Sequence, residues 1–430
     1  MKIKTAVKSY TEVLEMAPEK KRPVKKPSLL FRLLVRFLAI FELRKVKFSY
    51  KKIGMERLGK KEPCLYLMNH SSFIDLKIAS AVIFPRPYNI VCTYDGFVGK
   101  RWLMRQLGCI PTGKFISDFS LVKDIGYALK HHKSSVLMYP EAGYSFDGTA
   151  TVLPDSLGRC IKLLGVPVVM IKTSGAVLRD PLYNNLQTRK VKVTAKMEYL
   201  LSPEEIKEKN AAEINDVVQS RFTFDEFRDQ QESGTVINEP FRADYLNRVL
   251  YKCPACLSEG RTVGKGIKLT CNACKKEYEL TETGFMKALS GKTEFDHIPS
   301  WFKWQRECVK KEIERGEYLM DTPVKIAMLV NTKSLYMVGS GRLVHNADGF
   351  TLTDESGKVI YTQKPLSTYT LNSDYYWYEI GDVIGIGNKD ALYYCFPQSG
   401  KDIVTKARLA AEELYKIARS AVRQAEKTSQ

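Results

Sequence analysis

The sequence CLYLMNHSSFID occupies residues 64–75 and divides into an apolar run and a polar turn. Its first five residues predict a buried strand, and a helical pattern begins at Phe73. Ser72 is placed to cap that helix, and Asp75 follows three residues later, as in a capping box. Inside an ideal helix, residues five apart point about 140° away from each other. His70 can therefore meet Asp75 only because it lies in the turn before the helix.

A histidine held by a carboxylate serves as a general base, because the carboxylate fixes the tautomer and stabilises the imidazolium. The spacing predicts that His70 is a catalytic base and that Asp75 orients it. The alternative is that Asp75 only caps the helix and that His70 is an ordinary turn residue. This stretch alone does not decide between the two interpretations.

A second stretch supports the interpretation of His70 as a catalytic base. The apolar run of residues 135–139 ends in the sequence PEAGYS at residues 140–145. Together the two stretches resemble the glycerolipid acyltransferase family, which includes the lysophosphatidic-acid (1-acyl-sn-glycerol-3-phosphate) acyltransferases. The family's first block, N-H-x4-D, matches residues 69–75, and its third block, P-E-G-T-R-S, matches residues 140–145 in part.

Two further blocks of the family have counterparts in the expected order. The second block, approximately G-x-x-F-I-x-R, falls on Gly108 to Lys114, and the fourth, an apolar strand after V-P, falls on residues 166–171. The resemblance covers about residues 27–235.

The resemblance implies transfer of a fatty acyl chain from a thioester carrier, acyl-CoA or acyl-ACP, to a hydroxyl group. The acceptor would be a lysophospholipid or a related glycerolipid, as in phospholipid biosynthesis. Catalysis is assigned to His70 and Asp75. Acceptor binding is assigned to the matching positions of the second and third blocks: Lys114, Glu141, Gly143, Tyr144 and Ser145.

The chain departs from the family pattern at positions associated with the acceptor's phosphate. Lys114 and Tyr144 stand where the family has arginines, and Ala142-Gly143 replaces glycine-threonine. Lysine holds a phosphate as a point charge without the bidentate fork of arginine, and tyrosine is uncharged at neutral pH. The resemblance therefore supports acyl transfer more strongly than it supports a lysophosphatidic-acid acceptor.

The charge is large and unevenly placed. The 430 residues carry a formal charge of +19, and residues 1–62 hold 18 Lys and Arg against 6 acidic residues. This excess suits an anionic partner, either phospholipid or nucleic acid. Residues 1–26 are too polar for a secretory signal, so the ten cysteines are expected in a reducing cytosol.

Residues 29–43 are the most apolar stretch, but they are shorter than the roughly 20 residues of a spanning helix, and Arg32 and Arg36 interrupt them. Basic residues flank the stretch on both sides. We expect an interfacial amphipathic helix at about residues 27–45, bound to membrane phospholipids. The protein would then be peripheral or monotopic on the cytoplasmic face of a membrane. The alternative is a helix buried in its own domain.

The predicted domains follow from these patterns. Residues 1–62 form a basic N-terminal region that includes the interfacial helix. Residues 63–235 alternate strand and helix patterns and predict an α/β domain, which the resemblance implies is the acyltransferase domain. Within it, Ser202 with Pro203 and Glu205 predicts a capped helix start.

Two CxxC pairs, Cys253/Cys256 and Cys271/Cys274, lie 14 residues apart and predict a small zinc ribbon at residues 250–285. Four thiolates close the coordination sphere, so zinc would be structural. The strands 268–270 and 276–280 are expected to pair. Two redox dithiols are the alternative.

Residues 320–430 predict a β-rich domain that resembles a pleckstrin-homology-type barrel and is closed by a helix with one apolar face from Ile403 to Ala421. Before it, Trp301 and Trp304 open a helix. Their rings are expected to pack against a neighbouring domain, with a membrane anchor as the alternative.

The sequence thus favours a membrane-surface O-acyltransferase. A second function, from another class, is a zinc-ribbon nucleic-acid-binding or scaffold protein with an inactive acyltransferase-like domain. Nucleic acid is not an expected partner under the first interpretation, and the sequence does not indicate an oligomeric state.

Overall fold

The computed structural model describes residues 2–17, 19, 21–114 and 119–428. The helices, in chain order, are α1 (Tyr10–Leu14), α2 (Leu29–Lys45), α3 (Asp75–Ile83), α4 (Tyr94–Phe97), α5 (Arg101–Gln106), α6 (Phe119–Lys130), α7 (Ser156–Leu164), α8 (Ala176–Arg179), α9 (Pro203–Glu208), α10 (Ala211–Arg221), α11 (Glu226–Ser233), α12 (Ile298–Glu314) and α13 (Val404–Thr428).

The strands, in chain order, are β1 (Thr5–Val7), β2 (Ser49–Ile53), β3 (Leu65–Met68), β4 (Tyr88–Thr93), β5 (Cys109–Thr112), β6 (Ser135–Met138), β7 (Val168–Ser174), β8 (Thr194–Leu201), β9 (Thr262–Lys265), β10 (Lys268–Cys271), β11 (Glu277–Leu280), β12 (Met286–Ala288), β13 (Met320–Leu329), β14 (Leu335–Asn346), β15 (Gly349–Asp354), β16 (Val359–Gln363), β17 (Asn372–Trp377), β18 (Gly381–Gly387) and β19 (Leu392–Pro397).

The chain forms two compact units. The α/β unit consists of Lys20–Pro181 and Gln187–Glu226, and the β-rich unit consists of Met1–Glu19, Leu182–Leu186 and Phe227–Gln430. The predicted basic region, residues 1–62, is therefore divided between them.

The α/β unit is built on a seven-stranded sheet with the order β2-β8-β7-β3-β6-β4-β5. Its strands pair in parallel except for β7 and β8, which are antiparallel. All four residues of the central strand β3 are buried, as the unbroken apolar run predicts for a strand covered on both faces. The sheet confirms the predicted α/β architecture, and it adds β2 and β5, which the sequence patterns had not indicated.

Helix α3 begins at Asp75, two residues later than the sequence predicted. Ser72 does not cap it in the expected way, because its hydroxyl receives the Ile74 N–H at 3.4 Å rather than that of Asp75. The reciprocal half of the capping box is present, since the Ser72 N–H donates to the Asp75 carboxylate at 3.1 Å. By contrast, the predicted helix start at Ser202 is confirmed, with a full capping box to Glu205.

Helix α2 presents an apolar face to solvent. Its inner face packs through the buried residues Ala39 and Leu43. Arg32 donates to the carbonyl of Pro85, and the Arg36 guanidinium lies 6.0 Å from the centre of the Phe84 ring. The outer face exposes seven large apolar residues, here called the α2 patch: Leu29, Leu30, Leu33, Leu34, Phe37, Leu38 and Phe41. Among the described residues no helix has the length and apolarity needed to cross a membrane.

The β-rich unit begins with the ribbon. Its strands β12-β11-β10-β9 form an antiparallel sheet, and the predicted pairing holds, with Leu269 opposite Tyr278. Trp301 of α12 is fully buried; its indole N–H donates to the Lys252 carbonyl at 2.9 Å, and its ring lies edge-on to Tyr278. The first Trp of this helix therefore packs inside the protein and does not anchor a membrane.

The rest of this unit is an eight-stranded sheet with the order β16-β15-β14-β13-β19-β18-β17, to which β1 adds in parallel along β14. It consists of two meanders joined where β13 pairs with β19. The Gly387 N–H donates to the Gln363 side chain at 3.0 Å, so β18 and β16 approach each other. The C-terminal helix α13 follows, with Ala407 and Ala410 fully buried. This arrangement is consistent with the predicted β-rich domain closed by a helix, and the pleckstrin-homology resemblance stays a prediction.

Candidate active site

The strand register brings the first and third sequence blocks together. Strands β3 and β6 are parallel neighbours, with Leu67 opposite Met138. Because both strands end at the same edge of the sheet, the residues that follow them become neighbours. The His70 N–H accordingly donates to Glu141 at 2.9 Å. The carboxyl edge of a parallel sheet is where ligand sites form in such folds.

His70 and Asp75 form the predicted pair. His70 Nδ1 lies 3.0 Å from Asp75 Oδ2, and the same oxygen receives the N–H groups of Ser71 and Ser72 at 2.8 and 3.1 Å. The Asp75 side chain is 2% exposed and that of His70 is 24% exposed. A hydrogen bond from Nδ1 to a carboxylate leaves Nε2 as the nitrogen that takes a proton. The arrangement has the geometry of an oriented general base.

Two tyrosine rings enclose the imidazole. The centroid of the His70 ring lies 4.3 Å from that of Tyr139 and 4.0 Å from that of Tyr144, with interplanar angles of 30° and 28°. Two rings on the same face at these distances would overlap, so the imidazole lies between them. Burial raises the pKa of Tyr139 well above its ordinary value, and the charge of Asp75 adds to this shift, so its hydroxyl is neutral. The imidazole presents only its edge to a substrate.

Glu141 is buried and holds the site together. Its Oε2 accepts from the His70 N–H, and its Oε1 accepts from both the N–H and the hydroxyl of Thr151, at 3.0 and 2.9 Å. Burial raises the pKa of the Glu141 carboxyl, and the hydrogen bonds from Thr151 and His70 oppose that shift. Both oxygens are thus used within the protein, while the acceptor-binding role assigned to Glu141 remains a prediction.

The asparagine of the first block fixes the other side of the turn. Asn69 Oδ1 accepts from the Thr173 N–H at 2.8 Å, and its Nδ2 donates to the Thr173 carbonyl and the Ser71 hydroxyl at 3.2 and 2.8 Å. Thr173 belongs to β7, the other neighbour of β3. The turn that carries His70 is therefore tied to both adjacent strands.

The remaining predicted binding residues lie at different places. Tyr144 contacts His70 directly, and Gly143 is buried beside it. The Ser145 hydroxyl is buried and donates to the Thr149 carbonyl at 2.6 Å, which closes the loop after the third block. Lys114 follows β5, and β4 separates β5 from β6, so two inter-strand spacings, about 10 Å, lie between Lys114 and the third block.

The turn after β6 has an unusual backbone. Ala142 has φ +52°, the left-handed region that glycine occupies without strain, and it stands at the glycine position of the family pattern. Its N–H donates to the Tyr139 carbonyl at 3.1 Å. The tetrahedral intermediate of acyl transfer carries an oxyanion that needs hydrogen-bond donors, and the Ala142 N–H is already used within the turn. If this turn supplies a hydrogen-bond donor to the oxyanion, that donor is the backbone N–H of a residue after Ala142.

The four ribbon cysteines form a compact cluster. Their sulfur atoms all lie within 4.8 Å of one another, and the Cys253–Cys274 and Cys256–Cys271 Sγ distances are 3.8 and 3.7 Å. A tetrahedral ion with metal–sulfur bonds of about 2.3 Å requires sulfur–sulfur edges of about 3.8 Å.

The two cysteine turns are equivalent. The residue after each pair, Leu257 and Lys275, has φ +63°, and each donates its N–H to the carbonyl of the first cysteine of its pair, at 2.9 and 2.8 Å. The amides two and three residues after each first cysteine interact with its sulfur. These residues fit a bound metal ion.

Several residues of the site have no signal in the sequence. Tyr139 stacks on His70, Thr151 donates to Glu141, and Thr173 donates to Asn69, and no local pattern in the sequence predicts these contacts. Tyr139 directly precedes Pro140, and this position beside the third block is the sequence feature that could have pointed to it.

The comparisons with known proteins agree with the geometry. Residues 49–173 match the family model described as Acyltransferase. This range contains both His70 and Glu141 with their blocks, so these residues match an acyltransferase domain, in agreement with the predicted resemblance.

A search of curated proteins gives no match. Among solved structures, the chain is similar to the 1-acyl-sn-glycerophosphate (LPA) acyltransferase PlsC from Thermotoga maritima. The identity is 16%, the match covers 44% of this chain and 76% of that chain, and the TM-score is 0.37.

Proposed function

We propose that the protein is a membrane-surface O-acyltransferase that moves a fatty acyl chain from an acyl thioester to the hydroxyl of a lysophospholipid or related glycerolipid. The observation that carries the proposal is the 3.0 Å contact between His70 Nδ1 and Asp75, placed inside the matched acyltransferase region. The acyl donor would be acyl-CoA or acyl-ACP.

The chemistry needs one base and no enzyme nucleophile. Nε2 of His70 takes the proton of the acceptor hydroxyl as its oxygen attacks the thioester carbonyl. Asp75 stabilises the imidazolium that forms. When the tetrahedral intermediate collapses, the carbon–sulfur bond breaks and the imidazolium returns its proton to the leaving thiolate. The products are an ester and a free thiol.

The α2 patch supports action at a membrane. Seven large apolar side chains face solvent along one helix, and the edge-on pair of Phe31 with the exposed Trp102 extends this surface. Isolated exposed apolar residues are common, but a contiguous set indicates a binding surface. Arg32 and Arg36 contact Pro85 and Phe84 within the protein, so the proposed lipid contact rests on the apolar residues of α2 and on the basic residues that flank it.

Tyr144 supports an acceptor other than lysophosphatidic acid. The family's arginine at this position would supply a positive charge for a phosphate, and here a neutral ring covers the imidazole instead. We infer that the acceptor's headgroup near the reacting hydroxyl is less anionic than a phosphomonoester.

The ribbon would hold one structural zinc ion. A four-cysteine site leaves no open coordination position, so the ion would stabilise the ribbon and take no part in catalysis.

One assay tests the proposal. Purified protein is incubated with an acyl thioester and mixed vesicles that contain one lyso-lipid at a time, and the acylated lipid is measured by mass spectrometry. We expect acceptor-dependent product that is lost in His70→Ala. Absence of product from every lyso-lipid, with both CoA and ACP thioesters, would contradict the proposal.

A further inference from the structure

The imidazole of His70 is held on three sides. Its Nδ1 lies 3.0 Å from the Asp75 carboxylate, and its two faces stack on Tyr139 and Tyr144. A carboxylate oxygen accepts hydrogen bonds over a broad range of directions, so the bond to Asp75 alone leaves the ring plane able to tilt. A stacked ring on each face removes that motion. The two tyrosines, here called the tyrosine pair, therefore fix the direction in which Nε2 points.

Tyr139 is held by the centre of the sheet. It directly follows β6, which lies between β3 and β4 in the seven-stranded sheet. Its carbonyl accepts the Ala142 N–H at 3.1 Å, and the next residue, Pro140, has a restricted backbone. The ring of Tyr139 is thus carried by a strand end and a closed turn, which give it a defined position under the imidazole.

Tyr144 is held by the same turn that carries the base. Its ring lies 5.9 Å from that of Phe73, with 35° between the planes, so residues 70 and 73 of one turn both contact it. On the other side, the Ser145 hydroxyl donates to the Thr149 carbonyl at 2.6 Å and accepts the Gly148 N–H at 3.0 Å. Tyr144 is therefore packed against the base from a closed loop.

We propose that Tyr139 and Tyr144 are positioning residues, which hold the imidazole so that Nε2 is aligned with the acceptor hydroxyl. Tyr144 then acts on the base, although the resemblance assigns its position to the acceptor. The contacts are between ring faces, so the aromatic rings and not the hydroxyls are required. Side chains locked by packing are what keep a catalytic group within its productive geometry. This inference rests on the proposed function.

The first arm of the test compares removal of a ring with removal of a hydroxyl. Tyr144→Leu should lower kcat about tenfold or more and leave KM for both substrates within about twofold, because a misaligned base weakens the transition state and not substrate binding. Tyr144→Phe keeps the ring and should retain kcat. A raised acceptor KM with unchanged kcat in Tyr144→Leu would overturn the inference, as would an equal loss of kcat in Tyr144→Phe.

The same two substitutions at Tyr139 should give the same pattern. In the double leucine variant the loss of kcat should be smaller than the product of the two single losses, because either substitution alone frees the ring. Losses that multiply would contradict a joint action of the tyrosine pair. Tyr139 is packed more deeply than Tyr144, so the Tyr144 variants decide the outcome if Tyr139→Leu does not fold.

Tyr127→Leu is the matched control. Tyr127 stacks on His131 with 4.7 Å between centroids and 26° between planes, a tyrosine–histidine pair of similar geometry in the same unit. His131 precedes β6 and His70 follows β3, and these strands are parallel, so the two pairs lie at opposite edges of the sheet. Tyr127→Leu should leave kcat unchanged.

The second arm does not depend on activity. In protein labelled with 13C,15N-histidine, which contains five histidines, the His70 ring signals are assigned by NMR as those lost in His70→Ala. Rings stacked on both faces shift the His70 ring protons upfield. Tyr144→Leu should move these signals downfield, whereas Tyr144→Phe and Tyr127→Leu should not.

Unchanged His70 ring-proton shifts in Tyr144→Leu would overturn the inference, since the ring would then not cover the imidazole. If the wild type transfers no acyl group but the His70 signals respond to Tyr144→Leu, the proposed function fails while the stacking of the tyrosine pair on His70 stands. If acyl transfer is observed and Tyr144→Leu retains kcat, the proposed function stands and the positioning role fails.

Discussion

The ring of Tyr144 covers the imidazole of His70, with 4.0 Å between centroids and 28° between planes. The family pattern has an arginine at this position. A positive charge there opposes formation of an imidazolium, whereas the face of an aromatic ring attracts a cation. The substitution therefore replaces a positive charge next to the imidazole with a neutral ring.

Tyr144→Arg should raise the use of lysophosphatidic acid relative to uncharged acceptors. A hydrogen bond to a charged group contributes about 1.5–3 kcal/mol, which corresponds to roughly tenfold or more in relative kcat/KM. The control is Tyr144→Phe, which keeps the stacked ring and should leave acceptor preference unchanged. An unchanged preference in Tyr144→Arg would mean that Lys114 or another basic residue already binds the phosphate.

His70→Ala should lower turnover by at least about 10² to 10⁴, the usual contribution of a general base. Asp75→Asn should cost less, because the asparagine oxygen still accepts the amides of Ser71 and Ser72 while the charge is lost. Circular dichroism and zinc content establish that each variant is folded. Turnover close to wild type in well-folded His70→Ala would rule out the mechanism.

The α2 patch is tested by changing Leu30, Phe37 and Phe41 together to Gln. These side chains are 70%, 57% and 51% exposed, so their replacement should leave the fold intact and lower binding to anionic vesicles by tenfold or more in a sedimentation assay. Leu163→Gln is the control, since this leucine is 72% exposed on α7. Undiminished sedimentation of the triple variant would place the membrane contact elsewhere.

Deletion of residues 27–45 is a less selective test of the same prediction. It should also move the protein from the membrane pellet to the supernatant and lower activity on lipid acceptors. However, it removes the buried Ala39 and Leu43, and Glu42, which pairs with Arg179, so a loss of activity would not report on the membrane alone.

The ribbon should contain one zinc ion per chain. Elemental analysis of protein purified without chelator should find it, and Cys271→Ser should lose it together with much of the ribbon's stability, because zinc binding to such sites supplies about 10–16 kcal/mol. Cys308→Ser is the control, since this half-buried cysteine lies outside the cluster. Protein without zinc would contradict the prediction.

Ala142→Gly should stabilise the protein. Alanine at φ +52° is strained by about 1–2 kcal/mol, and the greater freedom of unfolded glycine offsets part of the gain, leaving roughly 0.5–1 kcal/mol. The control is Ala150→Gly. Ala150 is not among the residues with positive φ, so this substitution should lower the stability of the protein instead of raising it. Urea denaturation measures both; equal shifts in the two variants would show that the turn is unstrained.

The sequence alone determined the features that rest on local interactions. A capping box, a CxxC turn and an apolar strand each involve residues within a few positions of one another, so the helix start at Ser202, the cysteine cluster and the buried strand β3 were all predictable. The pairing of His70 with Asp75 belongs here too, since both lie in one turn. The exact start of α3 was not predictable from the sequence. The Asp75 carboxylate accepts the N–H groups of Ser71 and Ser72 and so holds the preceding residues out of the helix.

Only the tertiary structure decided what surrounds the base. Tyr139 and Tyr144 reach His70 because β3 and β6 pair in one particular register, and Thr173 reaches Asn69 because β7 lies on the other side of β3. Strand β1 likewise adds to β14, more than 300 residues away in sequence. The physical reason is that strand order and register follow from the packing of the whole sheet, which no local pattern of residues encodes.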